Sequence, residues 1–161
     1  MPILDPNELD NTIFEPILQH RFIMYIDGIP SYLIKKVGNI GFDEGEVIID
    51  HINSYFKVRA KRRWNDLSLS LYNPVAPSGA QAVMEWCRMA FETVTSRAGY
   101  FDFYVKDCTF RMLDPVGSVV GEWIIKKAYV KTAIFGDWDY SSDSYTTMEL
   151  TLANSGQILN F

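Results

Sequence analysis

The chain has 161 residues, of which 48% are hydrophobic and 14% aromatic, and its 20 acidic against 15 basic side chains give a net charge of −5. Such a composition excludes disorder and suits one domain with a substantial core, while the acidic balance disfavours a dedicated nucleic-acid binder, whose affinity would come from basic groups neutralising phosphates. No apolar run approaches the ~18–20 residues of a membrane span, and the start, Met1-Pro2-Ile3-Leu4-Asp5, lacks the features of a signal peptide, so a soluble protein of a cytoplasm-like compartment is expected.

Residues 1–20 read as an arm, because Asp5, Glu8 and Asp10 with Pro2, Pro6 and Pro16 permit at most a short helix. One domain is expected over 21–161. Arg21–Ile26 begins the regular structure, and Asp27-Gly28 is expected to turn it back as a hairpin into Ser31–Val37. The next stretch, 38–54, holds three glycines and four acidic groups and is expected to be a long loop within a hairpin. Tyr55–Trp64 is strand-like and basic. In Asp66–Tyr72 the leucines Leu67, Leu69 and Leu71 alternate with Ser68 and Ser70, the pattern of a strand with one buried face, and Asn73-Pro74 closes it.

One helix is predicted over about 78–97. Ser78 and Gln81 have capping-box spacing, and Val83, Trp86, Cys87, Ala90, Phe91 and Val94 recur at helical spacing, so that Val83, Trp86 and Phe91 are expected in the core. Gly99 would end it in a left-handed conformation. Beyond it, Cys108–Leu113 is a strand, Asp114-Pro115-Val116-Gly117 a reverse turn, Glu122–Phe135 a long β-branched and aromatic strand, and Tyr145–Ala153 a further alternating strand. The expected fold is α+β, mainly antiparallel: a β-sandwich or partly closed barrel with one flanking helix.

Catalytic and metal patterns are weak. His20 and His51 lack a second imidazole or paired carboxylates nearby. A calcium loop opening at Asp137 would want glycine and glutamate where Ser142 and Met148 stand. Gly38, Gly41 and Gly45 match no phosphate-binding loop. Cys87 and Cys108 read as buried free thiols. The basic run Lys57, Arg59, Lys61, Arg62 and Arg63 has three readings: a nucleic-acid patch flanked by Tyr55, Phe56 and Trp64, a solvated edge strand, or a surface that meets Asp43, Glu44, Glu46 and Asp50 of a neighbouring copy. The acidic balance of the chain favours the last two.

The order of these elements, from about Arg21 to Ala153, resembles the tail tube protein of contractile-tailed bacteriophages, a family related in fold to secretion-system tube proteins. The closing segment LDPVGSVVGEWIIKKAYVKTAIFGDWDYSSDSYTTMELTLAN carries the likeness most clearly, through its Leu-Asp-x-x-Gly turn, the tryptophan after it, Lys-Ala-Tyr, and the final Glu-Leu-Thr-Leu. The resemblance implies a non-enzymatic virion protein without a cofactor. Six copies would form a ring whose inner sheets close a tube, and stacked rings would conduct DNA inside a contractile sheath. Baseplate, tail terminator and tape-measure proteins would be its partners, and it would assemble in the host cytoplasm. The inter-ring contact would involve Phe42, Asp43, Glu44, Glu46 and Asp50 with Lys57, Arg59, Lys61, Arg62 and Arg63. Two other readings stay open: a tube of a secretion or bacteriocin-like contractile system, and a monomeric carbohydrate-binding sandwich using Trp138 and Tyr140.

Overall fold

The computed structural model describes residues 14–161, so most of the expected arm over 1–20 lies outside the described residues. In chain order the elements are β1 (Phe22–Tyr25), a 3-10 turn (Ser31–Leu33), β2 (Ile34–Gly38), β3 (Phe42–Asp50), β4 (Tyr55–Trp64), β5 (Leu67–Tyr72), α1 (Gly79–Ala90), β6 (Phe91–Glu92), β7 (Arg97–Ala98), one helical turn (Phe101–Tyr104), β8 (Lys106–Leu113), β9 (Val119–Ile134), β10 (Thr147–Ala153) and β11 (Gly156–Leu159). The α+β, mainly antiparallel class expected from the sequence is the one observed.

Seven strands form the main sheet in the order β1-β8-β9-β10-β5-β2, with β11 also paired to β9. The 16-residue β9 is the member that shapes it. Its first part pairs with β8 and β11, and its last part, Tyr129–Ile134, pairs with β10. The sheet therefore divides into two four-stranded halves that share one strand, and their facing sides enclose a single core in the manner of a sandwich. The barrel is not closed.

The change of direction in β9 has a local cause. Lys106 lies opposite Ala128 and Cys108 opposite Ile125, so β9 carries one residue more than β8 there, and Lys127 takes up φ +53°. A bulge of this kind bends a strand and strengthens its twist. Asp107 braces it: one carboxylate oxygen accepts the Lys127 amide at 3.0 Å and the other the Lys126 ammonium at 2.9 Å. The Lys127 N–H, followed by Lys126, holds the Asp107 carboxyl below its usual value.

The core follows the alternation read in the sequence. Leu67, Leu69 and Leu71 of β5 and Met148, Leu150 and Leu152 of β10 are buried, joined by Met24, Cys108, Ile125 and Ala128 from the other half and by Val83 and Trp86 of α1. Trp86 lies at the centre, 2% exposed, with its indole N–H donating to the Tyr104 carbonyl at 2.7 Å and the Lys106 ammonium 5.1 Å from its ring. Cys108 is buried and unpaired, and burial pushes its thiol up to about 12. A raised value means the thiol stays neutral across the physiological range, and stability is lost only as pH climbs from the unfolded value near 9 towards 12. At pH 8 an alkylating reagent should therefore modify Cys108 only after denaturation. Prompt labelling of Cys108 by mass spectrometry in the folded protein would contradict this packing.

Several expectations are corrected. The Asp27-Gly28 turn exists, with the Ile29 amide donating to the Ile26 carbonyl at 3.1 Å and Gly28 at φ +83°, but it makes no hairpin. β1 pairs with β8 and β2 with β5, on opposite halves. The helix begins where expected, with the Gln81 amide donating to the Ser78 hydroxyl, and ends at Ala90 rather than near 97. Phe91 is extended at φ −152° and 52% exposed, outside the core. The Thr93-Val94-Thr95 run explains the stop, because β-branched side chains lose rotamer freedom in a helix, and the chain turns instead through the short β6–β7 hairpin. Gly99 is no left-handed terminator. It permits close approach: a Cβ there would lie 2.1 Å from the Met89 carbonyl oxygen, while its amide donates to the Ala90 carbonyl at 2.9 Å.

Candidate functional site

The stretch expected as a long loop over 38–54 is mostly strand. β3 and β4 form a separate two-stranded sheet that pairs with no other strand among the described residues, closed by a turn in which His51 and Ser54 exchange backbone hydrogen bonds. Both faces are wet, and so the sequence alternates on neither. Such a ribbon is only marginally stable alone in water.

The register brings the acidic and basic sets together within one subunit. Asp43 lies opposite Arg63, Glu44 opposite Arg62, and Glu46 opposite Arg59. Glu44 accepts from both Arg59, at 3.3 Å, and Arg62, and Glu46 pairs with Lys57 at 2.9 Å. The Arg62 guanidinium also lies 4.0 Å from the Phe42 ring centroid, and Phe42 meets Trp64 edge-on at 5.6 Å. Much of the complementarity that the sequence offers for neighbouring copies is therefore spent inside the hairpin. Asp43, Asp50, Lys61 and Arg63 make no ion pair among the described residues. Charge reversal at Asp43 and Glu44 followed by Arg62→Glu and Arg63→Glu would rebuild the same cross-strand pairs, and so would report the integrity of the hairpin rather than a contact between copies.

Exposed ion pairs contribute ~0–1 kcal/mol each. Glu44→Gln should accordingly leave the melting temperature nearly unchanged while accelerating amide exchange along β3 and β4. Uniform acceleration across the whole sheet would mean that the hairpin and the core unfold together.

A residue absent from the sequence reading fixes the root of this hairpin. Gln157, on β11, is 3% exposed. Its carbonyl accepts the Gly41 amide at 2.8 Å, and its amide nitrogen donates to the Asn65 carbonyl at 3.1 Å. Gly41 immediately precedes β3 and Asn65 immediately follows β4, so one buried side chain clasps both legs. Asn154 donates to the same Asn65 carbonyl at 2.9 Å. The only signal in the sequence was a Gln-Ile-Leu run after the final alternating strand, too short to be read as an element.

The half-sheet β2-β5-β10-β9 is a second feature suited to contacts between copies. Its strands alternate in direction throughout. Among the described residues, β9 along Tyr129–Ile134 is paired on one side only, and β2 is likewise paired only with β5. The face turned from the core carries Ser68, Ser70, Thr132 and Thr151, with Lys36 opposite Ser70 and the Glu149 carboxylate held by the Ser70 hydroxyl at 2.7–2.8 Å.

Trp138 and Tyr140 are exposed on the loop before β10, beside a shallow depression of about 320 Å³ that they line with Asp139. Among the described residues no group of three His, Cys, Asp or Glu side chains stands close enough to hold a metal ion, and no helix is long and apolar enough to cross a membrane.

No family model matches the chain, and no curated protein matches it. Solved structures do. The tube-terminating cap of the anti-feeding prophage superposes with a TM-score of 0.76 at 16% identity, over 92% of this chain and 93% of that one. A chain of the sheath-tube complex of an extracellular contractile injection system gives 0.71 at 17% identity, covering 90% and 91%. A chain of the sheath/tube terminator of the same system gives 0.75 at 16%, covering 93% and 100%. At these identities the likeness is one of fold, and over nearly its whole length the chain has the fold found in tube and tube-terminator assemblies of contractile injection systems.

Proposed function

We propose that this chain is a structural tube protein: six copies form a ring, and rings stack head to tail into the hollow tail tube of a contractile particle, a phage tail that conducts DNA. The observation that carries the reading is the half-sheet with two unpaired edges. Its four antiparallel strands leave β2 and the end of β9 running in opposite directions, so β2 of one copy can pair antiparallel with β9 of the next, and every seam around the ring is equivalent. An odd number of strands would force a parallel seam. Unpaired edges of this kind are otherwise a liability for a dispersed protein.

The dimensions agree. Six copies give 24 strands, which at ~4.8 Å spacing and a tilt near 40° close a barrel of roughly 48 Å backbone diameter. Allowing ~5 Å of side chain per wall leaves a bore near 40 Å, wide enough for a duplex about 20 Å across. In that ring the serine and threonine face lines the channel. The hydroxyls carry no charge to grip phosphate, and the fixed charges of this face include both Glu149 and Lys36, of opposite sign. Sheath, baseplate and terminator proteins are the partners expected at the outer wall and the ends, with a tape-measure protein inside.

Negative-stain microscopy and sedimentation of the purified chain test this. Rings or tubes at millimolar subunit concentration are expected. Monomers alone, across salt concentrations, would overturn it. A second reading, a cap that ends the tube, is favoured by the likeness to the prophage cap and to the terminator; single rings that never stack would be its outcome. Tubes holding no DNA in isolated particles would assign the chain to an injection system rather than a phage.

A further inference from the structure

The sheet fails to close between β1 and β2, and the gap opens into a groove of about 1020 Å³. One wall is apolar through Phe22, Phe110 and Met112, with Phe22 and Phe110 stacked at 5.6 Å, and the other through Ile34 and Val37. Among the described residues that line it no side chain is acidic, and the charged ones, Arg21, Lys35 and Lys36, are all basic. Lys36, opposite Ser70, stands on the face turned from the apolar walls. The cations therefore give the mouth of the groove a positive potential, in a chain of net charge −5, and leave its walls apolar.

The chain reaches β1 along the lip of this groove. Ile17 and Leu18 line it while 58% and 36% exposed, and the Arg21 amide donates to the Leu18 carbonyl at 3.1 Å as the backbone turns into the strand. The sequence upstream, residues 1–13, is thereby tethered near the mouth. It carries Ile3, Leu4 and Leu9 interspersed with Asp5, Glu8 and Asp10, which is apolar bulk for the walls and negative charge for the mouth.

We propose that the groove between β1 and β2 receives the N-terminal segment of its own subunit, with Ile3, Leu4 and Leu9 against the apolar walls and the three acids left in the positive potential outside them. The tether decides the occupant. From Phe14 back to Leu4 the chain can span at most roughly 35 Å, so the segment samples the groove at an effective concentration on the order of millimolar, which a free partner would have to exceed. An open apolar gap in the sandwich needs cover in the dispersed subunit, and this segment is the nearest source of it. The contact lies within one chain and stands apart from the assembly reading.

Disulfide trapping in the full-length chain tests the docking. Leu4→Cys and Tyr32→Cys are introduced together in a Cys87→Ala background, with Cys108 buried. Tyr32 lines the groove yet is 67% exposed, so its replacement spares the core. The control joins Leu4→Cys to Val116→Cys. Val116 is 88% exposed on the turn after β8, beside the same tether point, because the Leu113 amide donates to the Arg21 carbonyl at 3.0 Å. On oxidation, a seated segment should close the Tyr32 disulfide within one chain about tenfold faster than the control closes. Adding Ile3→Asp and Leu9→Asp should lower that rate to the control's. Equal rates for the two pairs, disulfides that form only between chains, or a fast rate that survives both aspartates would overturn the docking. Non-reducing electrophoresis reads each result on single chains whether or not rings form, so failure here would leave the tube reading standing.

Discussion

Replacing Trp86 by alanine should destabilise the subunit by ~3–5 kcal/mol, the cost of removing a large aromatic from a closed core. Three losses add together at that position. The indole fills the space between α1 and the sheet and is 2% exposed. Its N–H satisfies the Tyr104 carbonyl, which would lose that partner. The Lys106 ammonium, which also donates to the Asp27 carbonyl at 2.7 Å, would lose its aromatic neighbour. Chemical denaturation should show a shifted midpoint with an unchanged slope. A variant that keeps its midpoint but no longer assembles would place Trp86 at an interface and overturn the core assignment.

Gln157→Leu should cost ~1–3 kcal/mol, because volume is kept while the part-buried Gly41 amide loses its acceptor and the Asn65 carbonyl one of its two side-chain donors. The effect should also be localised. Amides at the root of the hairpin, Gly41 and Asn65, should exchange faster, whereas those of Leu69 and Leu150 in the central strands should hold. Because Gln157 and Asn154 together fix where the hairpin leaves the body, assembly should weaken more than subunit stability does. Equal loss of protection at the root and the centre would show that Gln157 supports the whole sheet rather than the hairpin.

Much of the fold was legible because one-sided burial writes itself as alternation. β5 and β10 could be read almost to the residue from Leu67-Ser-Leu-Ser-Leu and Met148-Glu-Leu-Thr-Leu, and Asp114–Gly117 announced its turn, where the Asp114 carboxylate accepts the Val116 and Ser118 amides. β3 was hidden for the opposite reason. With neither face buried, nothing forces alternation, and Gly45 with four acids mimics a loop. The helix end was hidden because Phe91 and Val94 continue the helical spacing by coincidence after the backbone has already turned extended. Strand partners were the hardest to infer, since β1 ends at Tyr25 and β2 begins at Ile34, on either side of the Asp27-Gly28 turn, and they still join different halves. At the candidate site the charges were visible, but only register decides that Glu44 reaches Arg59 and Arg62 of its own subunit.

The sixteen-residue β9 has one more consequence. Because its first part belongs to one half of the sandwich and its last part to the other, force applied along one half reaches the other through covalent bonds rather than across a packed interface. Two of its three irregularities are pinned from outside the strand: Asp107 holds Lys126 and Lys127, and Asp66 holds Lys131 at 2.8 Å. Pulled lengthwise, such a strand loads its flanking hydrogen bonds together in shear, so the two halves yield as one body. A cylinder built from these subunits would resist axial thrust as a stiff wall and not as two sliding shells.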